Sequence, residues 1–254
     1  MDRPAPALVA GPRQATAGIA ERTLGTTPDQ LWLELPPISA PAPRRLLVFL
    51  HGAGSTPEEF APVAISFQLK FPGATAAILQ GLQPSPGHDG LDWYDARGVA
   101  ADRVERAGHA ARLVGERIAA LQAMTGVDAS RTVLVGFSQG ATVALEVARA
   151  RADLAAIVVA YAGRLATPIR RDERVHATIH LVHGELDSLV PPVHARQALR
   201  GLRAIGADVT LDVTADGTHS IGQDMIILGT TRVMQTVFRG RTPRSPGARS
   251  GTLH

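Results

Sequence analysis

The sequence contains no cysteine, few aromatic residues and no long apolar run among its 254 residues. Without cysteine the chain can form no disulfide, no thiol nucleophile and no cysteine-ligated metal site. No stretch approaches the roughly 18 apolar residues of a membrane-spanning helix, so we expect no integral membrane association. The first residues also lack the continuous apolar segment of a signal peptide, because prolines and an arginine interrupt them. We therefore expect a cytoplasmic location.

Nucleotide-binding motifs are also missing, and the charge distribution does not favour nucleic acid. The sequence has neither a Walker P-loop nor the glycine fingerprint of dinucleotide-binding folds, and we expect no cofactor. The net charge of +3 owes much to arginines near the C-terminus: Arg239, Arg241, Arg244 and Arg249. Residues 25–238 carry slightly more acidic than basic side chains. A basic patch for nucleic acid is therefore not indicated in this part of the chain.

The composition predicts one domain flanked by two tails. Residues 1–24 are rich in alanine, proline and glycine, and residues 239–254 are basic and lack a hydrophobic face. Such segments bury too little apolar surface to offset the entropy that is lost on ordering. We predict that both segments are disordered and that residues 25–238 form a single domain, a common length for one α/β unit.

Short apolar runs alternate with amphipathic stretches from residue 45 onward. The apolar runs predict strands near residues 46–50, 74–79, 132–136, 155–160, 177–182 and 209–213. Helical spacing appears over residues 103–124, 139–150, 192–204 and 221–238. This alternation predicts an α/β fold whose mostly parallel sheet is covered by helices on both faces, without a separate lid domain. Residues 31–35 alternate in polarity, as in an antiparallel edge strand.

The pentapeptide Gly136-Phe137-Ser138-Gln139-Gly140 is the most informative motif in the chain. It lies between a strand pattern and a helical pattern, which is the context of a nucleophile elbow. In such a turn the serine backbone is strained, and the glycines remove side chains that would collide. The turn raises the hydroxyl above the sheet, where a base can reach it. We predict that Ser138 is a nucleophile.

A serine hydroxyl needs a base to take its proton, usually a histidine that an acid holds in the right tautomer. Nine histidines compete for this role. His219 lies between the last predicted strand and the last predicted helix, and thus follows the serine in the α/β-hydrolase order. Asp187, shortly after a predicted strand, is the favoured acid, and Glu185 is the local rival. Three other aspartates near the last strand are expected to be solvated: Asp208, Asp212 and Asp216.

The tetrahedral intermediate of acyl transfer needs two hydrogen-bond donors for its oxyanion. One expected donor is the backbone N–H of Gln139, at the N-terminus of the helix that follows the nucleophile, where the helix dipole also helps. The other is expected in the loop after an early strand, at the backbone N–H of Ala53. Gly52 and Gly54 on either side allow the backbone to turn inward.

Five segments carry a resemblance to a known family: LHGAGSTPEEF, LDWYDARG, GFSQG, HGELDSLVP and DGTHSI, in this order. Over roughly residues 30–238 the chain resembles the phospholipase/carboxylesterase family of α/β-hydrolases, which contains bacterial serine carboxylesterases and acyl-protein thioesterases. The resemblance implies an α/β-hydrolase fold. It also implies the site residues named above: a triad of Ser138, Asp187 and His219, with Ala53 and Gln139 as oxyanion donors.

Residues 81–102 form the longest connection without an assigned element. Long loops at the carboxyl ends of parallel strands are commonly functional. The resemblance implies that Trp93 lines the acyl side of the cleft. The usual Trp-Phe-Asp of the family is Trp93-Tyr94-Asp95 here, which would make a substrate pocket more polar. Alternatively, Trp93 and Tyr94 pin this loop to the core.

Other interpretations of the histidines and of the activity stay open. His176, His180, His183 and Asp187 resemble a metal-ligand set, but side chains alternate along a strand and His183 would face away from the other two histidines. We therefore expect strand-end histidines rather than a metal site.

The expected activity is hydrolysis of short to medium acyl esters through an acyl-enzyme. Longer acyl thioesters or lipids are the alternative substrates, and an inert binding module is the non-enzyme alternative.

Overall fold

The computed structural model describes residues 31–239, so the predicted N-terminal tail and all but the first residue of the predicted C-terminal tail lie outside the described residues. The strands of this part are β1 (Trp32–Leu35), β2 (Arg45–Leu50), β3 (Ala74–Leu79), β4 (Gln83–Pro84), β5 (Leu91–Asp92), β6 (Thr132–Phe137), β7 (Ile157–Tyr161), β8 (Thr178–Gly184) and β9 (Val209–Thr214). The helices are α1 (Pro57–Lys70), α2 (Ala100–Thr125), α3 (Gln139–Ala150), α4 (Val193–Ala204) and α5 (Gln223–Arg239).

Seven of these strands form one sheet in the order β1-β3-β2-β6-β7-β8-β9. All neighbouring pairs are parallel except β1 and β3, which are antiparallel at the edge of the sheet. The predicted fold and the predicted antiparallel edge strand are therefore confirmed. β4 and β5 form a separate two-stranded antiparallel pair within the loop that had no predicted element.

Helices cover both faces of the sheet and define two cores. The first core contains buried side chains of α2, α3 and α4 against one face, and the second contains side chains of α1 and α5 against the other. Because both faces are covered, the central strands are almost wholly apolar and buried, as in other parallel sheets.

Element boundaries differ from the predicted ones by a few residues. α2 begins at Ala100 rather than Arg103, because the preceding Ala-Ala-Asp segment continues the helix although it adds nothing to the apolar stripe. α5 begins at Gln223 rather than Ile221, since Gly222 still belongs to the preceding loop. β7 begins two residues after the apolar run does, where pairing with β6 starts at Ile157.

The two elbow glycines bring three elements into direct backbone contact. A Cβ on Gly136 would lie 2.5 Å from the carbonyl oxygen of Gly140. A Cβ on Gly140 would lie 2.3 Å from the carbonyl oxygen of Leu50 and 2.4 Å from that of His51. Both glycines therefore prevent collisions, as predicted. The one at position 140 also allows the start of α3 to rest on the end of β2.

A buried histidine makes the stability of this fold sensitive to acid. His180 in β8 is fully buried, and its ring nitrogens hydrogen-bond to the hydroxyls of Thr210 and Thr236 at 2.8 and 2.9 Å. Burial lowers its pKa from the ordinary 6.5 to about 4. As the pH falls, the unfolded chain therefore binds this proton before the folded chain does. The stability that neutral His180 contributes is complete above about pH 6.5 and is lost as the pH falls towards 4.

We expect His180→Gln to reduce the pH dependence of the free energy of unfolding between pH 6.5 and 4. Loss of the histidine should remove at most about 3 kcal/mol of the change across this window. Urea denaturation of both proteins at a series of pH values measures this difference, and His109→Gln, at an exposed position of α2, is the matched control. Parallel pH profiles for wild type and His180→Gln would contradict the prediction.

Candidate active site

The predicted site residues meet at the carboxyl edge of the sheet. Ser138 follows β6, Asp187 follows β8, His219 lies between β9 and α5, and Ala53 follows β2. Parallel strands all end at the same edge, so residues far apart in sequence converge there. The topology therefore places these four positions in one region.

Ser138 occupies the tight turn that the sequence predicts. Its φ of 53° and ψ of −112° lie in a region that non-glycine residues rarely adopt. Its N–H donates to the carbonyl of Tyr161 at 2.9 Å, and its carbonyl accepts the N–H of Thr142 at 3.1 Å. These bonds tie the strained residue to β7 on one side and to α3 on the other.

A continuous chain of hydrogen bonds links Ser138, His219 and Asp187. The distance from Nε2 of His219 to Oγ of Ser138 is 2.9 Å, and the distance from Nδ1 to Oδ2 of Asp187 is 2.7 Å. A carboxylate only accepts hydrogen bonds, so we assign the imidazole proton to Nδ1. This leaves Nε2 as an acceptor for the serine hydroxyl. The structure thus brings together the three residues that the sequence nominated.

The carboxylate of Asp187 is buried and held by its own loop. Its Oδ1 accepts the backbone N–H groups of Leu189 and Val190 at 3.0 and 2.8 Å. His183, which sequence analysis treated only as a strand-end residue, approaches Oδ2 of Asp187 to 3.4 Å and donates from Nε2 to the carbonyl of Val190 at 2.7 Å. Burial lowers the pKa of His183, which favours its neutral form. This second histidine therefore braces the acid loop without adding a charge.

The rival acid lies on the surface. Glu185 forms an ion pair with Arg196 at 2.6 Å, and both side chains are more than 40% exposed. It makes no hydrogen bond to His219, whereas Asp187 does. The geometry therefore favours Asp187 over Glu185 as the partner of the histidine.

One prediction about the neighbouring aspartates is wrong. Asp212 is not solvated, because its carboxylate is largely buried and pairs with Arg232 of α5 at 2.6 Å. Asp208 pairs with Arg239 in an exposed position, and Asp216 is exposed. The pairing of Asp212 depends on how α5 packs against β9, which sequence spacing alone does not reveal.

The two nominated oxyanion donors have no competing acceptors. Within residues 31–239 the backbone N–H groups of Ala53 and Gln139 make no hydrogen bond. Nδ1 of His51 donates to the carbonyl of Gly52 at 2.7 Å. In a trans peptide the C=O and the next N–H point in opposite directions, so this bond turns the N–H of Ala53 away from His51. Burial lowers the pKa of His51, which keeps the ring neutral.

The side chain of Gln139 holds the loop over residues 81–102 in place. Its Oε1 accepts the N–H of Trp93 at 2.7 Å, and its Nε2 donates to the carbonyl of Tyr94 at 2.8 Å. Trp93 is only 1% exposed and donates from its indole to the carbonyl of His51 at 2.8 Å. Its position is the one expected if it pins the loop to the core. Sequence analysis assigned only a backbone role to Gln139 and missed this clamp, since no periodicity marks it.

Of the three histidines that resemble a metal-ligand set, His176 is exposed and the other two have other partners. His180 bonds to two threonines and His183 bonds to a backbone carbonyl. Over residues 31–239 no group of three histidine or carboxylate side chains is arranged to hold a metal ion. In the same range, none of the helices combines the length and the apolar character that crossing a bilayer requires.

Comparison with known proteins assigns the family. The family model described as Phospholipase/Carboxylesterase matches residues 38–228. The chain belongs to the phospholipase/carboxylesterase family. Esterase YpfH of Escherichia coli (strain K12) is similar to this family member, with 36% identity over 179 residues that cover 70% of this chain and 77% of YpfH. The predicted resemblance is thereby confirmed, and this family member is a hydrolase of the esterase type.

Solved structures of esterases share the fold. Esterase PE8 is 27% identical, superposes with a TM-score of 0.75, and the match covers 81% of this chain and 98% of PE8. The carboxylesterase of Bacillus cereus is 15% identical, with a TM-score of 0.67 and coverage of 80% of this chain and 93% of that protein. At this low identity, the similarity to the Bacillus cereus carboxylesterase establishes only the α/β-hydrolase fold.

Proposed function

We propose that this family member is a serine carboxylesterase that hydrolyses short to medium acyl esters through an acyl-enzyme on Ser138. The observation that carries the proposal is the hydrogen-bonded chain from the hydroxyl of Ser138 through His219 to Asp187. A serine, a base and an orienting acid in this geometry form the arrangement that activates a hydroxyl for acyl transfer.

In the acylation step, Oγ of Ser138 attacks the ester carbonyl carbon while Nε2 of His219 takes the hydroxyl proton. The carbonyl oxygen becomes an oxyanion that accepts hydrogen bonds from the N–H groups of Ala53 and Gln139. Asp187 stabilises the imidazolium and keeps its orientation. The intermediate collapses, the C–O bond to the alcohol breaks, and His219 gives its proton to the leaving oxygen.

In the deacylation step, water replaces the alcohol. His219 takes a proton from the water as its oxygen attacks the acyl-enzyme carbonyl, and the same two N–H groups again hold the oxyanion. Collapse of this intermediate returns the proton to Ser138 and releases the carboxylic acid. Each donor is expected to contribute about 2.7–4 kcal/mol to stabilisation of the transition state.

Observations on the loop and the cavities near the site support the proposed preference for short to medium acyl groups. Within residues 31–239 no lid domain covers the site, and the loop over residues 81–102 is clamped by Gln139. Tyr94 lines two cavities, with volumes of about 160 and 340 Å³, which lie below and near the lower end of the roughly 300–1,000 Å³ of pockets for drug-sized ligands.

The test combines a substrate series with active-site labelling. Hydrolysis of p-nitrophenyl esters from acetate to palmitate, with matching acyl thioesters in parallel, should give the highest kcat/KM at short oxygen esters. A fluorophosphonate probe should modify Ser138 alone, as located by peptide mass spectrometry. Labelling at another serine, or a maximum at long acyl thioesters, would contradict the proposal.

A further inference from the structure

A small cavity lies one helical turn from the proposed nucleophile. Its lining includes Tyr94 and Thr142, and the N–H of Thr142 donates to the carbonyl of Ser138. A helix rises 1.5 Å per residue, so the Cα atoms of Ser138 and Thr142 are roughly 6 Å apart along α3. The cavity therefore lies beside the first turn of the helix that begins after Ser138.

Apart from Tyr94, the ionisable side chains of this cavity belong to basic residues. Arg103, Arg164 and His194 line it, and no carboxylate does. Each of these residues is half-buried, and within residues 31–239 neither arginine side chain makes an ion pair or a hydrogen bond. Guanidinium groups that are partly removed from water without a partner favour an anionic ligand, and their planar donors suit a carboxylate.

Glu146 is an acid of α3 near this lining, and its carboxylate is already paired. Glu146, one turn beyond Thr142 on α3, bonds to Arg149 at 2.9 Å and accepts the N–H of Ala166 at 2.9 Å. Its charge is thus balanced by Arg149 rather than by an arginine of the cavity. Arg149 also pairs with Glu173 at 2.8 Å.

These same bonds fix the segment that carries Arg164. Arg149 donates to the backbone carbonyl and the hydroxyl of Thr167, and Glu173 closes the segment at its other end. At the start of the segment, a Cβ on Gly163 would lie 2.5 Å from the Cβ of Ala141 in α3, so the backbone rests on that helix. Arg164 therefore projects from an anchored backbone rather than from a free surface loop.

The cavity lies on the side of Ser138 that suits the acyl group. Tyr94 and the α2, α3 and α4 side chains belong to the core on one face of the sheet. The ring of His219 packs against Phe137, at 5.2 Å between ring centroids, and Phe137 packs into the core on the other face. The alcohol must leave next to His219, because this residue protonates it. The acyl group is then directed to the opposite side, where the cavity is.

We propose that the cavity binds a carboxylate at the far end of the acyl group, so that the preferred substrates are half-esters of short dicarboxylic acids. This inference rests on the proposed serine esterase function and names its substrate class. Arg103 and Arg164 bind the distal carboxylate, and the reacting atoms are unchanged. Oγ of Ser138 bonds to the ester carbonyl carbon, the alcohol leaves with the proton from His219, and water then releases the dicarboxylate.

The test compares two esters that differ in charge but hardly in shape. Monoethyl succinate carries a carboxylate where ethyl succinamate carries a neutral amide, and pH-stat titration follows both. Wild type should show a kcat/KM about 10-fold to 100-fold higher for the charged ester, as expected for charge-assisted hydrogen bonds. Arg103→Gln and Arg164→Gln should each lose most of this preference, measured as the ratio of kcat/KM for the charged ester to that for the neutral ester.

A matched control distinguishes an effect of the cavity residues from an effect of the overall charge of the protein. Arg171→Gln removes the same charge from an exposed position of the segment that carries Arg164, and it should keep the preference. An equal loss in Arg171→Gln would show a long-range charge effect and overturn the proposal. Preference for an anion on the alcohol side, tested with acetoxyacetate against acetoxyacetamide, would also overturn it.

The remaining outcomes distinguish the two proposals. Wild type that hydrolyses ethyl butyrate, yet gives equal kcat/KM for the charged and the neutral succinate ester, overturns the carboxylate site and leaves the serine esterase intact. Wild type that hydrolyses none of these esters and is not labelled by a fluorophosphonate overturns the proposed function and the inference together.

Discussion

Replacing Ser138 with alanine is expected to lower kcat for ester hydrolysis by about a million-fold. The proposed mechanism routes both steps through the serine oxygen, and no cysteine is present to substitute for it. The activity that remains should come only from stabilisation of the oxyanion and from substrate binding. Single-turnover and steady-state assays with a p-nitrophenyl ester measure the loss.

The same substitution should leave the fold intact. The hydroxyl of Ser138 bonds only to His219 within the described chain, and alanine meets the same backbone strain as serine at this φ. The midpoint of thermal unfolding should therefore stay within a few degrees of wild type. Ser130→Ala, at an exposed serine far from the elbow, is the control and should retain full activity. Substantial turnover by Ser138→Ala would refute the nucleophile assignment.

Asp187→Asn is expected to lower kcat by about four orders of magnitude, the loss found when an orienting aspartate becomes an amide. An asparagine amide donates towards Nδ1 of His219 and so favours the tautomer whose proton is on Nε2. That tautomer cannot accept the proton of Ser138. The asparagine oxygen can still accept the N–H groups of Leu189 and Val190, so the loop should keep its shape.

Glu185→Gln provides the matched comparison for the acid. The substitution removes the carboxylate of Glu185, which lies two residues before Asp187 and pairs with Arg196 on the surface. Ion pairs at such exposed positions contribute about 0–1 kcal/mol to stability. We expect near-wild-type kcat for Glu185→Gln. If this variant lost activity and Asp187→Asn did not, the acid would be assigned to the wrong residue. Circular dichroism of both variants would check that each remains folded.

Local patterns explain why most of the fold and the three central site residues were predictable. Apolar runs mark buried parallel strands, and the strand–turn–helix context identifies Ser138 without knowledge of its neighbours. Asp187 and His219 follow from the order in which such residues appear along the chain. The structure confirms the sheet and brings these side chains within hydrogen-bond distance of one another.

The features that were missed depend on tertiary packing. The bond of Asp212 to Arg232 forms only when α5 docks on β9, and the contact of His183 with Asp187 forms only when the loop after β8 folds back on the end of that strand. Gln139 reaches across more than forty residues of sequence to clamp Trp93, and no helical or strand period encodes that reach. Element ends were also uncertain because terminal residues contribute little to an apolar stripe.

The contact between Gly140 and the end of β2 has a consequence for the energetics of catalysis. The carbonyl oxygens of Leu50 and His51 lie 2.3 and 2.4 Å from where a Cβ of residue 140 would be, so the backbones of α3 and β2 are in direct contact at this point. The proposed donors, Ala53 and Gln139, follow on the two sides of that contact, so we expect their spacing to be the same with and without a substrate. Little reorganisation energy is then needed when negative charge develops between them. Folding, rather than substrate binding, supplies the free energy that aligns these dipoles.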